Sequence, residues 1–397
     1  MIRHEEVRHF RDAEIKRGER WILSADFNVK DTVNPYRVDE ELSDIQRISD
    51  SGGIAVILAH EGRYGKTKSL EFVATYLSDK LQRKVNYYDR PITDASIDFA
   101  GKLTPGEIVL MSNTRFNEGE ERNAPELAYL YAHLGDKVVV GGFGKAHRMH
   151  ASNVGLLDYR SGFLSTSQEQ QMQKIKRWSG RSSEYSVAVI GGIKKEKITE
   201  GLLGFAEIYD HIIPGGIVLN TILKLKYKHI GRSKIDDDGK TFEKEVKSAL
   251  KKYPKKIIVP KEVIVASQND GKFEYVGRIN FTEFGSVPED CMIVSYVMPS
   301  DATFALAKVV QEKGRLAVAG TPDIPGMRDS IASNQLKSWM PQIGCNALIL
   351  GGDTAREVEA KDAVVSTGGG SALMYLTTGT THVYEKLKEN LRRRGVQ

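Results

Sequence analysis

Two stretches near the end of the chain carry the plainest chemistry. Ile349-Leu350-Gly351-Gly352-Asp353-Thr354-Ala355 and Val364-Val365-Ser366-Thr367-Gly368-Gly369-Gly370-Ser371 share one pattern: a short apolar run, then glycines, then a segment able to start a helix. On such a turn backbone N–H groups converge on an anion, and the helix N-terminus adds partial positive charge. A pair of these turns suggests a polyphosphate held by backbone. Asp353 could cap its helix or reach a metal on those phosphates. Spacing alone fits two ordinary strand–loop–helix junctions equally well.

Further glycines and cations follow apolar runs elsewhere. Gly191-Gly192-Ile193-Lys194-Lys195-Glu196-Lys197 and Pro214-Gly215-Gly216 extend the glycine set, with Lys194 and Lys197 placed to meet phosphates as point charges. There is no Gly-x-x-x-x-Gly-Lys-Ser/Thr run, and no convincing Gly-x-Gly-x-x-Gly follows the first strand, so a P-loop and dinucleotide binding are disfavoured. In the first half the corresponding positions are polar or basic: Asp26-Phe27-Asn28-Val29, Arg37, His60-Glu61-Gly62-Arg63, Asn113-Thr114-Arg115-Phe116 and Phe143-Gly144-Lys145-Ala146-His147-Arg148-Met149-His150. Guanidinium forks suit phosphate and carboxylate. Arg37, His60, Arg63, Arg115 and Arg148 at successive strand ends point to a small, multiply charged anion.

The elements that must position these groups alternate. Strands are expected at 21–25, 54–59, 84–88, 108–111, 137–140, 186–190, 209–213, 257–266, 316–319 and 347–350. Helices fall between them, for example at 69–81, 126–134, 216–223, 244–253, 301–313 and 328–340. This βα alternation, with continuous apolar runs such as Ile54–Ala59, predicts doubly wound parallel sheets. The pattern pauses at 160–185, where Gln168–Trp178 reads as a polar helix and Ser179 to Glu184 as a connection. At 397 residues two domains are expected: 1–178, 179–375, and a terminal helical segment 376–397. In sheets of this kind ligands bind beyond the carboxyl ends of the strands.

Composition narrows the class. The net charge of +5 fits an enzyme for anionic substrates and is weak support for nucleic-acid binding, even with Arg392-Arg393-Arg394. Cys291 and Cys345 are the only cysteines, which excludes a disulfide framework or a Cys-rich zinc site. The charged start is no secretory signal, and no apolar run approaches the ~20 residues that span a bilayer. A cytoplasmic protein is expected, with neither nucleic acid nor membrane as partner.

In order and wording these segments resemble the phosphoglycerate kinase family over nearly the whole chain. Asp26-Phe27-Asn28-Val29 is similar to its DFNVP segment, with Arg37 shortly after it. His60 to Arg63 is similar to HLGRP, and Thr114-Arg115-Phe116 to LRF. Phe143 to Ser152 is close to AFGTAHRAHAS. Gly191 to Lys194 resembles GGAK, and Pro214 to Leu223 resembles GGAMANTFL. Gly351 to Thr354 resembles GGDT, and Ser366 to Gly370 matches STGGG. The resemblance implies two Rossmann-like domains closing over a cleft, with the C-terminal helix returning to the N-terminal domain. It implies a monomeric kinase, with ATP or ADP and Mg2+, acting on 3-phosphoglycerate. Asp26 and Asn28 would meet the substrate's carboxylate and hydroxyl end; His60, Arg63, Arg115 and Arg148 would hold its phosphate. Nucleotide would lie on Gly191, Gly192, Lys194, Lys197, Gly215, Gly216, Pro322, Gly351, Gly352, Asp353 and Thr354, with Asp353 near magnesium. Arg37, Lys194 and the Gly368-Gly369-Gly370 turn would serve the phosphoryl group in flight.

The chain also departs from that family. Its arginine two residues before the DFN aspartate is Ser24 here, the proline after DFNV is Lys30, and the one after HxGR is Tyr64. Asn-Asp-Ala before the FGTAHR run is Val140-Gly141-Gly142. The WNGPMGVFE segment appears as Ala319 to Met327, where only Pro322 clearly survives. An active kinase is the favoured reading. A relative with weak or no activity, binding a phosphorylated ligand as a regulator, is the alternative suggested by residues 319–327.

Overall fold

The continuous apolar runs become the central strands of parallel sheets. The computed structural model describes residues 6–33, 35–237, 239–269, 272–324 and 330–395, without the side chains of Asp236, Asp237, Lys240 and Asp353. Contacts divide the chain into two units, Met1–Gln173 with Thr380–Gln397, and Lys174–Gly379. The first division falls inside the helix Thr166–Ile175.

Unit 1 is built on β1 (Arg20–Ser24), β2 (Ile54–Leu58), β3 (Val85–Tyr88), β4 (Ile108–Met111), β5 (Lys137–Val140) and β6 (Ser161–Leu164). They form one sheet in the order β3-β4-β2-β1-β5-β6, and every pairing is parallel. All five side chains of β2 are buried, since helices cover both faces. Each of its Ile, Val and Leu side chains contributes about 1.5–3 kcal/mol on removal from water. The helix Glu71–Leu81 starts where Ser69 Oγ accepts the Glu71 N–H at 3.2 Å. Val38, Leu42, Ile45 and Ile48 recur at helical spacing in the sequence but are divided between two helices, Tyr36–Asp39 and Leu42–Asp50. The strand β6 lies where the sequence alternation pauses; Gly162 and its short length hide it. The terminal helix His382–Arg394 packs in unit 1. Its Asn390 accepts the Gly162 N–H at 2.9 Å and donates to the carbonyls of Leu157 at 2.6 Å and Arg160 at 2.8 Å.

Unit 2 has a second all-parallel sheet. Its order, by first strand residue, is Val364, Ala347, Arg315, Ser186, His211. Beside it stands a feature that periodicity did not reveal. Glu262–Asn269 pairs antiparallel with Lys272–Asn280 on one side and with Cys291–Tyr296 on the other. The strand expected over 257–266 is corrected to Glu262–Asn269, the first arm of this long hairpin. Asp270 and Gly271 lie outside the described residues. After Gly191-Gly192 the chain enters a π-helical segment, Lys197–Leu202, continued by the α-helix Leu203–Ile208. The helix expected over 328–340 is Ile331–Ile343; Arg328 lies outside the described residues. Among the described residues no helix is long and apolar enough to cross a membrane.

Candidate functional site

Parallel pairing places the carboxyl ends of β4, β2, β1 and β5 side by side, so the turns after them share one edge of the unit 1 sheet. Those turns carry Arg115, His60, Asp26 and Arg148. Asn113 ties two of them together: its Oδ1 accepts the Arg115 N–H at 3.0 Å, and its amide donates to the Glu61 carbonyl at 3.0 Å and the Lys68 carbonyl at 2.8 Å. Asn153 holds the third, donating to the carbonyls of Lys145 at 3.0 Å and Arg148 at 2.8 Å.

The electrostatics of this edge are strongly positive. Arg115 is 1% exposed. Its Nη1 pairs with the Glu121 carboxylate, while Nε and Nη2 have no hydrogen-bond partner. Unspent buried donors are costly, so they point to a missing acceptor. His60 is also buried. Burial, then Arg115, Lys145, Arg148 and His150, hold its imidazole well below its ordinary pKa. His150 is pushed down to about 3 by burial first and then by Arg115, Arg148 and Lys145. Both rings are therefore neutral near pH 7. Arg148 is itself lowered, by burial and then by Arg115. The arrangement can take a phosphate or carboxylate.

Asp26 is buried, and Arg37 Nη1 donates to its two oxygens at 3.0 and 3.3 Å. Asn28 is exposed, with its Oδ1 accepting the Gly62 N–H at 3.2 Å. Arg63 is exposed in the turn that bridges back to Lys66. Thus Asp26, Arg37, His60, Arg115 and Arg148 gather at one edge, while Arg63 stands on its solvent side.

Sequence reasoning missed the buried carboxylates beneath this edge. Glu120 accepts from Ser152 N at 3.1 Å and Ser152 Oγ at 2.6 Å. Glu41 accepts from Gly142 N at 2.8 Å and Ser167 Oγ at 2.7 Å, while its Oε2 has no partner. Burial first, then Asp44, pushes Glu41 up from 4.5 to about 8. A folded-state value above the unfolded one adds stability that is full below about 4.5 and lost as pH rises through about 8. Glu41→Gln cannot lose it. The variant is expected to melt close to wild type at pH 4.5 and about 5 °C higher at pH 9, read by thermal denaturation.

In unit 2 every strand of the parallel sheet ends in a glycine turn, so Gly191, Gly215, Gly320, Gly351 and Gly368 follow neighbouring strands. Backbone packs directly on backbone here. Gly191 N donates to Ala319 O at 3.1 Å, Gly192 N to Thr321 O at 2.8 Å, and Ile217 N to Gly192 O at 2.9 Å. Gly216, with φ +50°, leaves space for Gly192, whose carbonyl oxygen would lie 2.1 Å from a β-carbon. Pro322 closes against Gly215, whose β-carbon would sit 2.6 Å from the Pro322 carbonyl oxygen. Lys194 is exposed. Lys197 is pushed down to about 8 by burial, against the attraction of Glu196 and with Lys194 adding repulsion. Gly351 N donates to Ser366 O at 2.9 Å, which joins the two turns after 350 and 366. The helix Gly352–Glu357 carries Asp353 and the buried Thr354; the Asp353 side chain lies outside the described residues. Gly368 caps the helix Gly369–Thr378, and its N–H reaches Ser366 Oγ at 3.3 Å. Residues 325–329, which include the last three of the altered segment, are likewise outside the described residues, so Met327 has no placement. Among the described residues no group of three or more His, Cys, Asp or Glu could hold a metal unaided.

Comparison with known proteins places both units. The sequence profile described as phosphoglycerate kinase matches residues 11–379. The chain is 28% identical to the phosphoglycerate kinase of Thermosipho africanus over 383 residues, covering 92% of this chain and 94% of that one. It is 32% identical to that of Lactococcus lactis subsp. cremoris over 397 aligned positions, covering 92% and 95%. Phosphoglycerate kinase structures from Coxiella burnetii (24% identity, 96% of this chain and 99% of that one) and Pyrococcus horikoshii (20%, 98% and 100%) superpose with a TM-score of 0.74 each and share its fold. With a profile match over nearly the full length and relatives covered almost end to end, the chain belongs to the phosphoglycerate kinase family.

Proposed function

We propose that the protein is a phosphotransferase that moves a phosphoryl group reversibly between ATP and the carboxylate of 3-phosphoglycerate, a step of glycolysis and gluconeogenesis. The observation that carries the substrate assignment is the buried Arg115 guanidinium with unspent donors, beside neutral His60 and the Arg148 cation. Arg115, Arg148 and His60 hold the substrate phosphate, with Arg63 on the solvent side. Asp26 and Asn28 orient the carboxylate and hydroxyl end. Asp26 in turn fixes the Arg37 guanidinium, which meets charge on the reacting carboxylate.

Nucleotide phosphates lie on the glycine turns of unit 2, with Lys194 and Lys197 as point charges. The Gly368-Gly369-Gly370 turn opens a ten-residue helix, whose N-terminal N–H groups suit the oxygens of the transferring group. Phosphoryl transfer needs little covalent help; in-line positioning and positive charge on the equatorial oxygens do most of the catalysis. Magnesium carried by nucleotide phosphates fits the head of the helix Gly352–Glu357, because this ion needs only one or two carboxylates beside phosphates and water. Asp353 would be its protein ligand, and the ion would supply charge neutralisation on the phosphates.

The protein acts on small molecules as a cytoplasmic monomer, without nucleic acid or membrane as partner. The basic tail supports this reading. Arg393 donates to Asp158 Oδ1 and Arg394 to the Asp158 carbonyl, both at 3.0 Å, so two of its cations are spent within unit 1. Turnover with ATP, magnesium and 3-phosphoglycerate tests the proposal.

A further inference from the structure

One cation of unit 1 has no role in the scheme above. Lys145, in the turn after β5, is 2% exposed, and its ammonium donates to Ser24 Oγ at 2.5 Å. Ser24 ends β1, is fully buried, and passes a bond to the Ser152 carbonyl. The ammonium's partner is thus a neutral hydroxyl rather than a carboxylate. Asp26, Glu120 and Glu41 attract it through space, and Arg115 repels it. A buried ammonium is costly unless paired. Next to it lies Arg115, buried as well and short of acceptors. Two such cations are relieved when an anion enters.

The origin of this charge is unusual. The family segments that the chain resembles place an arginine at position 24 and a threonine at 145; here these are Ser24 and Lys145, and the two side chains touch. A second exchange lies alongside. Position 141 is an aspartate in those segments and glycine here. Glu41 reaches the same spot from the turn before the helix Leu42–Asp50, accepting the Gly142 N–H at 2.8 Å. A β-carbon on residue 141 would sit 2.3 Å from Glu41 Oε2. In both places a charged group from a different element reaches the position where the resembled segment carries its own: Lys145 meets Ser24, and Glu41 lies against Gly141 and Gly142.

We propose that Lys145 supplies, from the turn after β5, the cation otherwise carried on β1 at position 24, and that this ammonium sets the affinity of the unit 1 site for its anionic substrate. It is a positioning residue: it anchors the turn that bears Arg148 to the end of β1 and adds positive potential beneath the acceptor site. The proposal rests on the assignment of 3-phosphoglycerate to unit 1. Lys145 is pushed down from 10.5 to about 8, by burial first, so its charge is full below about 8 and lost above. His60 and His150, which also face it, are already neutral throughout that range.

The test compares wild type, Lys145→Thr and Ser24→Arg/Lys145→Thr by steady-state kinetics from pH 6.5 to 9.5, with 3-phosphoglycerate binding to wild type measured by calorimetry. Lys145→Thr is expected to raise KM for 3-phosphoglycerate about 30-fold and to change kcat less than about threefold. The double variant is expected to return KM to within about threefold of wild type. Wild-type kcat/KM should fall as pH passes about 8; because Glu41 titrates in the same range, the profiles are compared in a Glu41→Gln background, where the double variant, with a guanidinium that does not titrate there, should show no such limb. If Lys145→Thr does not fold, the double variant decides: recovery of folding, KM and a flat profile supports the exchange, and failure of any of these overturns it. A wild type that binds 3-phosphoglycerate, together with a Lys145→Thr whose KM stays within about twofold, overturns this proposal alone. A wild type that does not bind it removes the substrate assignment and the proposal together.

Discussion

Replacing Arg37 by alanine is expected to lower kcat by about 10³-fold, with a much smaller change in KM for ATP. Arg37 is held by Asp26, whose carboxylate is buried and accepts at 3.0 and 3.3 Å from one guanidinium nitrogen. This leaves the rest of the fork available for the substrate. Loss of the side chain removes that donor set and strands a buried carboxylate, so some loss of stability accompanies it. Arg37→Lys separates the two effects. An ammonium can still meet Asp26 as a point charge, but it cannot present a planar fork. The lysine variant should melt close to wild type and still lose about 10²-fold in kcat. Equal kcat for wild type and Arg37→Lys would mean that Arg37 serves only to neutralise Asp26. Steady-state kinetics with thermal denaturation on the same preparations reads both.

The second large effect is steric. A β-carbon on residue 191 would lie 1.8 Å from the Thr321 carbonyl oxygen and 2.9 Å from the Pro322 nitrogen. Both are backbone atoms, so no side chain can swing away. The two turns are locked by the Gly192 N–H to Thr321 O bond of 2.8 Å, and Gly191 N is spent on Ala319 O. Gly191→Ala must therefore move one strand end away from its neighbour. A cost of about 3 kcal/mol or more is expected, with nucleotide binding lost. Unit 1 has its own core and carries the proposed 3-phosphoglycerate site, so binding of that ligand should survive. Calorimetry with each ligand separately, plus the melting profile, checks this. Wild-type nucleotide affinity in Gly191→Ala would contradict the close approach of the two turns.

What could be read from sequence follows from where each signal lives. Strands such as Ile54–Leu58 and Ser186–Ile190 are buried on both faces and announce themselves as unbroken apolar runs. Cations at strand ends are legible because side-chain type and strand order together place them along one edge of the sheet. The strand Ser161–Leu164 is not legible, since a four-residue segment with glycine carries too little pattern. The hairpin of Glu262–Asn269 with Lys272–Asn280 is not legible because its second strand is largely exposed.

Burial of charge was the least visible property. Glu41, Glu120 and Lys145 are ordinary surface residues by type, and only tertiary packing puts them 1–2% exposed beneath the anion site. The signal for Lys145 was present as a lysine at a threonine position and a serine at an arginine position. Only their contact in the fold turns those two departures into one exchange.

The central claim is phosphoryl transfer between ATP and 3-phosphoglycerate, and a coupled spectrophotometric assay with magnesium tests it directly. Saturable turnover in both substrates, above about 1 s−1, is the predicted result. No turnover by folded protein across several nucleoside triphosphates would contradict it.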